Sequence, residues 1–96
     1  MEIEFIRHKG LRRFFETGNT EGLVGDVGRL RKTLPFVDAA EGMDELFVLP
    51  NLGLHELARN RKGTWSMTVT RNWRLTFRMI EEGALTDMDL EDYHGT

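Results

Sequence analysis

The sequence predicts an α+β domain, with an N-terminal strand and two helices packed on one face of a mostly antiparallel sheet of four to five strands. Three observations predict it. The chain has 96 residues, the size of one domain built around one core. Apolar side chains recur at helical spacing between residues 10 and 37. From residue 52 onward the apolar period switches to two, as half-buried strands require. A single domain over residues 1–96 is therefore expected.

The elements follow in order. Residues 2–7 alternate, with Ile3 and Phe5 on one side and Glu2 and Glu4 on the other, and read as a first strand. Leu11, Phe14 and Phe15 lie at helical spacing in residues 10–17, and Gly18-Asn19 is a stop signal. Asp26 is suited to cap a second helix, whose buried face takes Val27, Leu30, Leu34 and Val37. Pro35 predicts a bend or an early end there, because an interior proline removes a helix hydrogen bond. Residues 41–50 are acidic and read as irregular.

Strand patterns then succeed one another. Leu52 and Leu54 alternate with Gly53 and His55. Trp65, Met67 and Val69 alternate with Ser66, Thr68 and Thr70. Trp73, Leu75, Phe77 and Met79 alternate with Arg74, Thr76 and Arg78. Met88 and Leu90 alternate with Asp87, Asp89 and Glu91. Parity selects a three-residue loop, Thr70-Arg71-Asn72, which sets Val69 opposite Trp73 and keeps both faces uniform. Such loops end in a left-handed residue, a conformation asparagine tolerates. Glu81-Glu82-Gly83 is expected to do the same for the next hairpin. The helices need an apolar partner, and the Trp65, Trp73, Leu75 and Phe77 face supplies it. The other face stays open and carries Arg74, Arg78, Thr68, Thr76 and His55.

Composition narrows the chemistry. The absence of cysteine excludes disulfides, thiolate zinc sites and cysteine nucleophiles. No apolar run reaches the roughly 18–20 residues of a membrane span, and the acidic N-terminus lacks the apolar core of a signal peptide. A cytoplasmic protein is expected, with no membrane partner. The formal charge is −3, which taken whole argues against a nucleic-acid binder. Its distribution argues otherwise, since binding belongs to a face. Residues 51–80 contain Arg59, Arg61, Lys62, Arg71, Arg74 and Arg78 against Glu56 alone, whereas residues 81–96 contain only acids among their charges. One reading is that neighbouring strands of opposite sign simply pair. The other is that an open basic face seats a phosphate chain.

Residues able to do RNA chemistry are present. Cleavage without a metal needs a base for the 2′-hydroxyl, an acid for the leaving 5′-oxygen and a cation for the charge that develops on the phosphorane. His55, His94, Tyr93 and Arg74 match those roles, and Asp92-Tyr93-His94 sets a carboxylate, a phenol and an imidazole side by side. No phosphate-binding glycine loop and no dinucleotide fingerprint occurs. No histidine pair stands at metal-ligand spacing, and no metal or cofactor is expected.

Several blocks together resemble a known family. They are Arg7-His8-Lys9-Gly10-Leu11, Phe15-Glu16-Thr17-Gly18, Leu54-His55-Glu56-Leu57, Arg61-Lys62-Gly63-Thr64-Trp65-Ser66, Asn72-Trp73-Arg74-Leu75-Thr76-Phe77 and Glu91-Asp92-Tyr93-His94. In this order they look like the HigB toxins of the RelE/ParE superfamily. The resemblance implies a RelE-like fold and a toxin of a type II toxin–antitoxin module. It implies ribosome-dependent mRNA cleavage, metal-free and through the 2′-hydroxyl, and neutralisation by a HigA-like helix-turn-helix antitoxin. It assigns catalytic roles to His55, Arg74, Asp92, Tyr93 and His94, and leaves Arg59, Arg61, Lys62, Arg71 and Arg78 to bind RNA. Two positions depart from the family pattern. Ala58 stands where a lysine is frequent, with Arg59 next to it, and Thr70 stands where a basic residue is frequent, with Arg71 next to it. The superfamily also implies an alternative, a non-enzymatic inhibitor of a protein such as DNA gyrase. A further one is an inactive paralogue that still binds antitoxin.

Overall fold

The computed structural model describes residues 1–92. Its elements are β1 (Glu2–Ile3), α1 (Lys9–Thr17), α2 (Val27–Ala39), α3 (Met43–Phe47), β2 (His55–Glu56), β3 (Thr64–Thr68), β4 (Trp73–Glu81) and β5 (Ala84–Asp92). Single 3₁₀ turns occupy Pro50–Leu52 and Arg59–Arg61. The sheet runs β1-β5-β4-β3-β2, with β1 parallel to β5 and every other pair antiparallel. This is the expected α+β arrangement at the upper strand number, with one helix more than expected.

Local chemistry explains the helices. The His8 ring accepts a hydrogen bond from the Leu11 amide and caps α1, and Gly18 ends it in the left-handed conformation. The Asp26 carboxylate accepts from the Arg29 amide at 3.0 Å and starts α2. Helix α2 runs through Pro35 to Ala39 instead of ending early. Pro35 lies on the exposed side, where the carbonyl that loses its partner can bond water, and Leu34 and Val37 anchor the other side in the core. The unexpected α3 has Asp44 and Glu45 in its first turn, where acids suit the helix dipole. Its Leu46 is fully buried. What reads as an acidic irregular stretch is thus a short helix anchored by Leu46, with Met43 also packed against the core.

The core joins Leu11, Phe14, Leu30, Leu34, Val37 and Leu46 to Met67, Leu75, Phe77, Leu85, Met88 and Leu90. Val27, Trp65 and Trp73 are only half-buried at its margin, and Phe15 faces solvent. The ring of Phe47 meets Trp65 edge-on at 5.9 Å.

The first hairpin has its expected length. The β3–β4 register carries Val69 opposite Trp73, and the Val69 amide bonds the Trp73 carbonyl at 3.0 Å. Asn72, however, does not take a positive φ. The Thr70 hydroxyl closes the loop instead, accepting from the Asn72 amide at 3.3 Å and the Trp73 amide at 3.1 Å.

The second hairpin is shorter than expected. Glu81 pairs with Ala84, leaving the two residues Glu82 and Gly83, the latter at φ +85°. Two bulges then offset each other, so the far end of the pair keeps the register that the two-residue loop sets. Ile80 is the extra residue on β4 and is exposed. On β5 the extra residue lies at Asp87–Met88 opposite Phe77, and Asp87 takes φ +54°. This bulge also overturns the alternation expected in residues 2–7. Leu85 and Met88 are both buried, so the inward phase changes between them. The N-terminal segment runs alongside in one constant register, Ile3 beside Leu85 and Ile6 beside Met88. Ile6 is therefore buried, and Phe5 is 46% exposed beneath the Arg12 guanidinium.

Candidate active site on the open sheet face

Directly paired residues of an antiparallel ladder share a face. The register therefore lays out the face away from the helices in rows. One row is His55, Ser66, Thr76 and Asp89. The next toward the first hairpin is Thr68, Arg74 and Glu91, and the one on the other side is Thr64, Arg78 and Thr86. Arg74, Thr76, Arg78, Thr68 and His55 thus share the face that alternation assigns them. The face is not uniformly basic, because β5 adds Asp89 and Glu91 to it.

His55 sits on the short edge strand β2, exposed, with Nδ1 3.0 Å from the Gly53 carbonyl oxygen. A carbonyl can only accept, so Nδ1 carries the proton in this contact. Nε2 of the neutral ring then presents a lone pair outward. Gly53 makes this possible. Its φ is +59°, and a Cβ there would lie 2.8 Å from the Thr68 hydroxyl. The glycine two residues before the histidine was visible in the sequence, but only its conformation shows that it aims the ring.

Arg74 is half-buried, and its Nη1 donates to the Thr70 carbonyl at 2.7 Å. The guanidinium is held against the hairpin, in the row next to His55. Asp92 ends β5 in register with Trp73, one step out of phase with Arg74 and Glu91. Tyr93 and His94 lie outside the described residues.

The basic residues separate into two groups. Arg71 is exposed in the hairpin at the start of β4. Arg59, Arg61 and Lys62 are exposed on the loop between β2 and β3, near Arg78 on the far half of β4. Arg78 donates to the Thr64 hydroxyl at 3.2 Å. Arg61 makes two parallel bonds of 2.7 Å to the carboxylate oxygens of Glu91, which also accepts from the Thr76 hydroxyl at 2.5 Å. The hydrogen bond from Arg61 is the main reason the Glu91 carboxyl lies below its ordinary pKa, against the opposing effect of burial, with Thr76 and Arg7 helping. The same bond raises Arg61 above its usual value. Arg7 faces Asp87 at 3.4 Å. These groups, with Asn60, Asp89 and Thr64, line a polar cleft of about 220 Å³. Opposite charges therefore do pair across elements, Arg61 with Glu91 and Arg7 with Asp87. Sequence spacing gave no sign of the Glu91 pairing, since its partners come from two other elements.

Comparison with known proteins agrees with this architecture. Residues 4–94 match the family model of the HigB-like toxins, described as RelE-like toxins of the type II toxin–antitoxin system HigB. The chain is also 41% identical over 93 residues to a Proteus vulgaris protein named endoribonuclease HigB, covering 96% of this chain and 99% of that one. Among the described residues no helix is long and apolar enough to cross a membrane. An open, charged sheet face backed by helices and a match over nearly the whole length lead to one assignment: the chain belongs to the HigB-like toxin family of type II toxin–antitoxin systems.

Proposed function

We propose that the protein is the toxin of such a module and acts in the cytoplasm as a ribosome-dependent mRNA endoribonuclease. A HigA-like helix-turn-helix antitoxin restrains it. The observation that carries this reading is the near full-length similarity to endoribonuclease HigB. The open face supports it, with His55 and Arg74 in adjacent rows.

The proposed reaction follows from these groups. A base removes the 2′-hydroxyl proton, and the 2′-oxygen attacks the adjacent phosphorus. The bond from phosphorus to the 5′-oxygen breaks, and an acid protonates that oxygen. One fragment ends in a 2′,3′-cyclic phosphate and the other in a 5′-hydroxyl. No metal is assigned a step. The outward Nε2 of His55 suits a proton acceptor or a substrate-orienting group. Arg74 stabilises the phosphorane charge. His94 and Tyr93 supply the remaining proton carrier and a ring for base stacking, and Asp92, in register with Trp73, stands next to them in the sequence. Arg59, Lys62, Arg71 and Arg78 contact phosphates, whereas Arg61 is engaged by Glu91.

Cleavage on ribosomes programmed with a defined message tests this reading. A positioned acid or base contributes roughly 10²–10⁴-fold. His94→Ala should lose that factor while ribosome binding persists. His55→Ala should lose as much if it carries a proton, and less if it orients the substrate. Tyr93→Phe separates proton transfer from stacking. Wild-type rates in both histidine variants would exclude the acid–base scheme. In cells, induction should produce new RNA 5′ ends in phase with codons. Their absence, together with arrested DNA supercoiling, would instead point to a gyrase-type target.

A further inference from the structure

The loop joining β2 to β3 holds three of the basic residues assigned to RNA, yet little fixes its tip. Residues 58–62 are all exposed. The backbone bonds within the tip are local, from the Arg61 amide to Ala58 and from the Lys62 amide to Arg59. Its base is pinned by Leu57 to Thr64 and by the Gly63 amide to the Glu56 carboxylate. Among the described residues, the polar link from the tip to the sheet is the Arg61–Glu91 pair, thirty residues apart in sequence.

That link is built to fix a position. Two parallel bonds set both the distance and the plane of the guanidinium, which a single contact does not. Glu91 is held in turn from β4, because Thr76 is buried and donates to the same carboxylate. A phosphate competing for Arg61 would have to displace a carboxylate secured on two sides.

We propose that Glu91 is a positioning residue: through Arg61 it clasps the 57–63 loop to the open sheet face and holds Arg59 and Lys62 where an RNA backbone crossing that face meets them. The clasp stands on geometry alone, and its consequence for RNA rests on the cleavage function proposed above. Arg61 then leaves the set of phosphate contacts. Its work is done before RNA arrives.

The test uses the intact protein with Glu91→Gln, Arg61→Lys and both together. Glutamine keeps the shape of Glu91 but loses its charge and one acceptor oxygen. Lysine keeps the charge of Arg61 but cannot bond both oxygens in parallel. Hydrogen exchange at the amides of residues 58–63 should quicken several-fold in each single variant and no further in the double. On programmed ribosomes, each variant should raise KM several-fold with kcat within about twofold, since preorganised binding is lost and the chemistry is not. Unchanged exchange in Glu91→Gln would overturn the clasp. A lower KM in that variant would show that Glu91 masks Arg61 from RNA, and would also overturn the proposal. A wild-type protein that cleaves no RNA would remove the functional half along with the nuclease reading, while the exchange result still decides the clasp.

Discussion

The two faces of β4 are shaped by different forces. On the helix side, Leu75 and Phe77 are completely buried and Met79 and Trp73 half-buried against the same core. Their energy comes from apolar area removed from water, which is non-directional and tolerates any neighbour of suitable size. On the open side, Arg74, Thr76 and Arg78 each have a specific polar partner: the Thr70 carbonyl, the Glu91 carboxylate and the Thr64 hydroxyl. Those bonds depend on geometry and on which element lies opposite. The helix-side face therefore governs whether the domain folds, and the open face governs what a folded domain can hold in place.

The largest test of this contrast is Phe77→Ala. Truncating a fully buried aromatic costs roughly 3–5 kcal/mol, a large share of the marginal stability of a small domain. Trp73→Ala should cost less, because Trp73 sits half-buried at the edge of the core. Urea denaturation at neutral pH reads both. Equal losses would mean that Trp73 is as deeply anchored as Phe77, which would erase the gradient along this face.

Arg74→Ala should reverse the pattern, with a loss of RNA cleavage of about 10²-fold or more and a stability loss of only about 1 kcal/mol for one hydrogen-bonded group. Cleavage on programmed ribosomes and a thermal melt of the same preparation give the two numbers. A variant that melts far below wild type would make Arg74 a structural residue. Retained cleavage would remove it from the chemistry.

The same contrast explains what the sequence revealed. Alternation identified β3 and β4 and the odd hairpin between them, because one buried face fixes phase over a whole strand. It misplaced Phe5 and Ile6 beside β5, and Gly83 suggested an odd second hairpin although Leu75 opposite Leu90 requires an even one. The phase there changes at Ile80 and Asp87, and neither an isoleucine nor an aspartate marks a bulge in advance. Pro35 misled because a proline's effect depends on whether its side of the helix meets water. Helix α3 was hidden because Met43, Leu46 and Phe47 cover little more than one turn, too short a stretch to establish a period. For the open face, parity put Arg74, Arg78 and His55 together, and the family resemblance proposed their roles. The pairing of Arg61 with Glu91 could not be read, since charge pairing between distant elements leaves no periodic trace.

A smaller effect is expected at the hairpin that joins the two faces. Thr70→Val keeps the branched shape but removes the oxygen that accepts from the Asn72 and Trp73 amides. The loss should be about 0.5–1.5 kcal/mol, read by chemical denaturation. Arg74 would retain the Thr70 carbonyl, so cleavage should fall less than in Arg74→Ala. If cleavage falls as far as in Arg74→Ala, the hairpin and not the guanidinium is what the reaction needs.

The smallest effect concerns Glu91, and its sign follows from its partners. Arg61 lowers the Glu91 carboxyl below its ordinary value chiefly by hydrogen bonding, aided by Thr76 and Arg7 and opposed by burial. The folded protein therefore holds the charged carboxylate more firmly than the unfolded chain does. That stabilisation is fully present above the unfolded carboxylate pKa of about 4.3 and disappears as the pH falls through the lower folded value. Arg61 stays protonated throughout this range, since its own shift is upward. Arg78, Asp87 and Asp89 line the same cleft, so the acid transition of the whole protein is broader than that of one group. The difference between wild type and Glu91→Gln isolates it. With the Arg61 side chain 45% exposed, solvent screening limits the stability gain to no more than about 1 kcal/mol. Urea melts should show wild type ahead by up to that amount at pH 7, with the gap closing toward pH 3 and narrowing in high salt. A gap that survives at pH 3 would mean that the carboxyl acts through shape and neutral hydrogen bonds, and the ion pair would then contribute nothing to holding the loop.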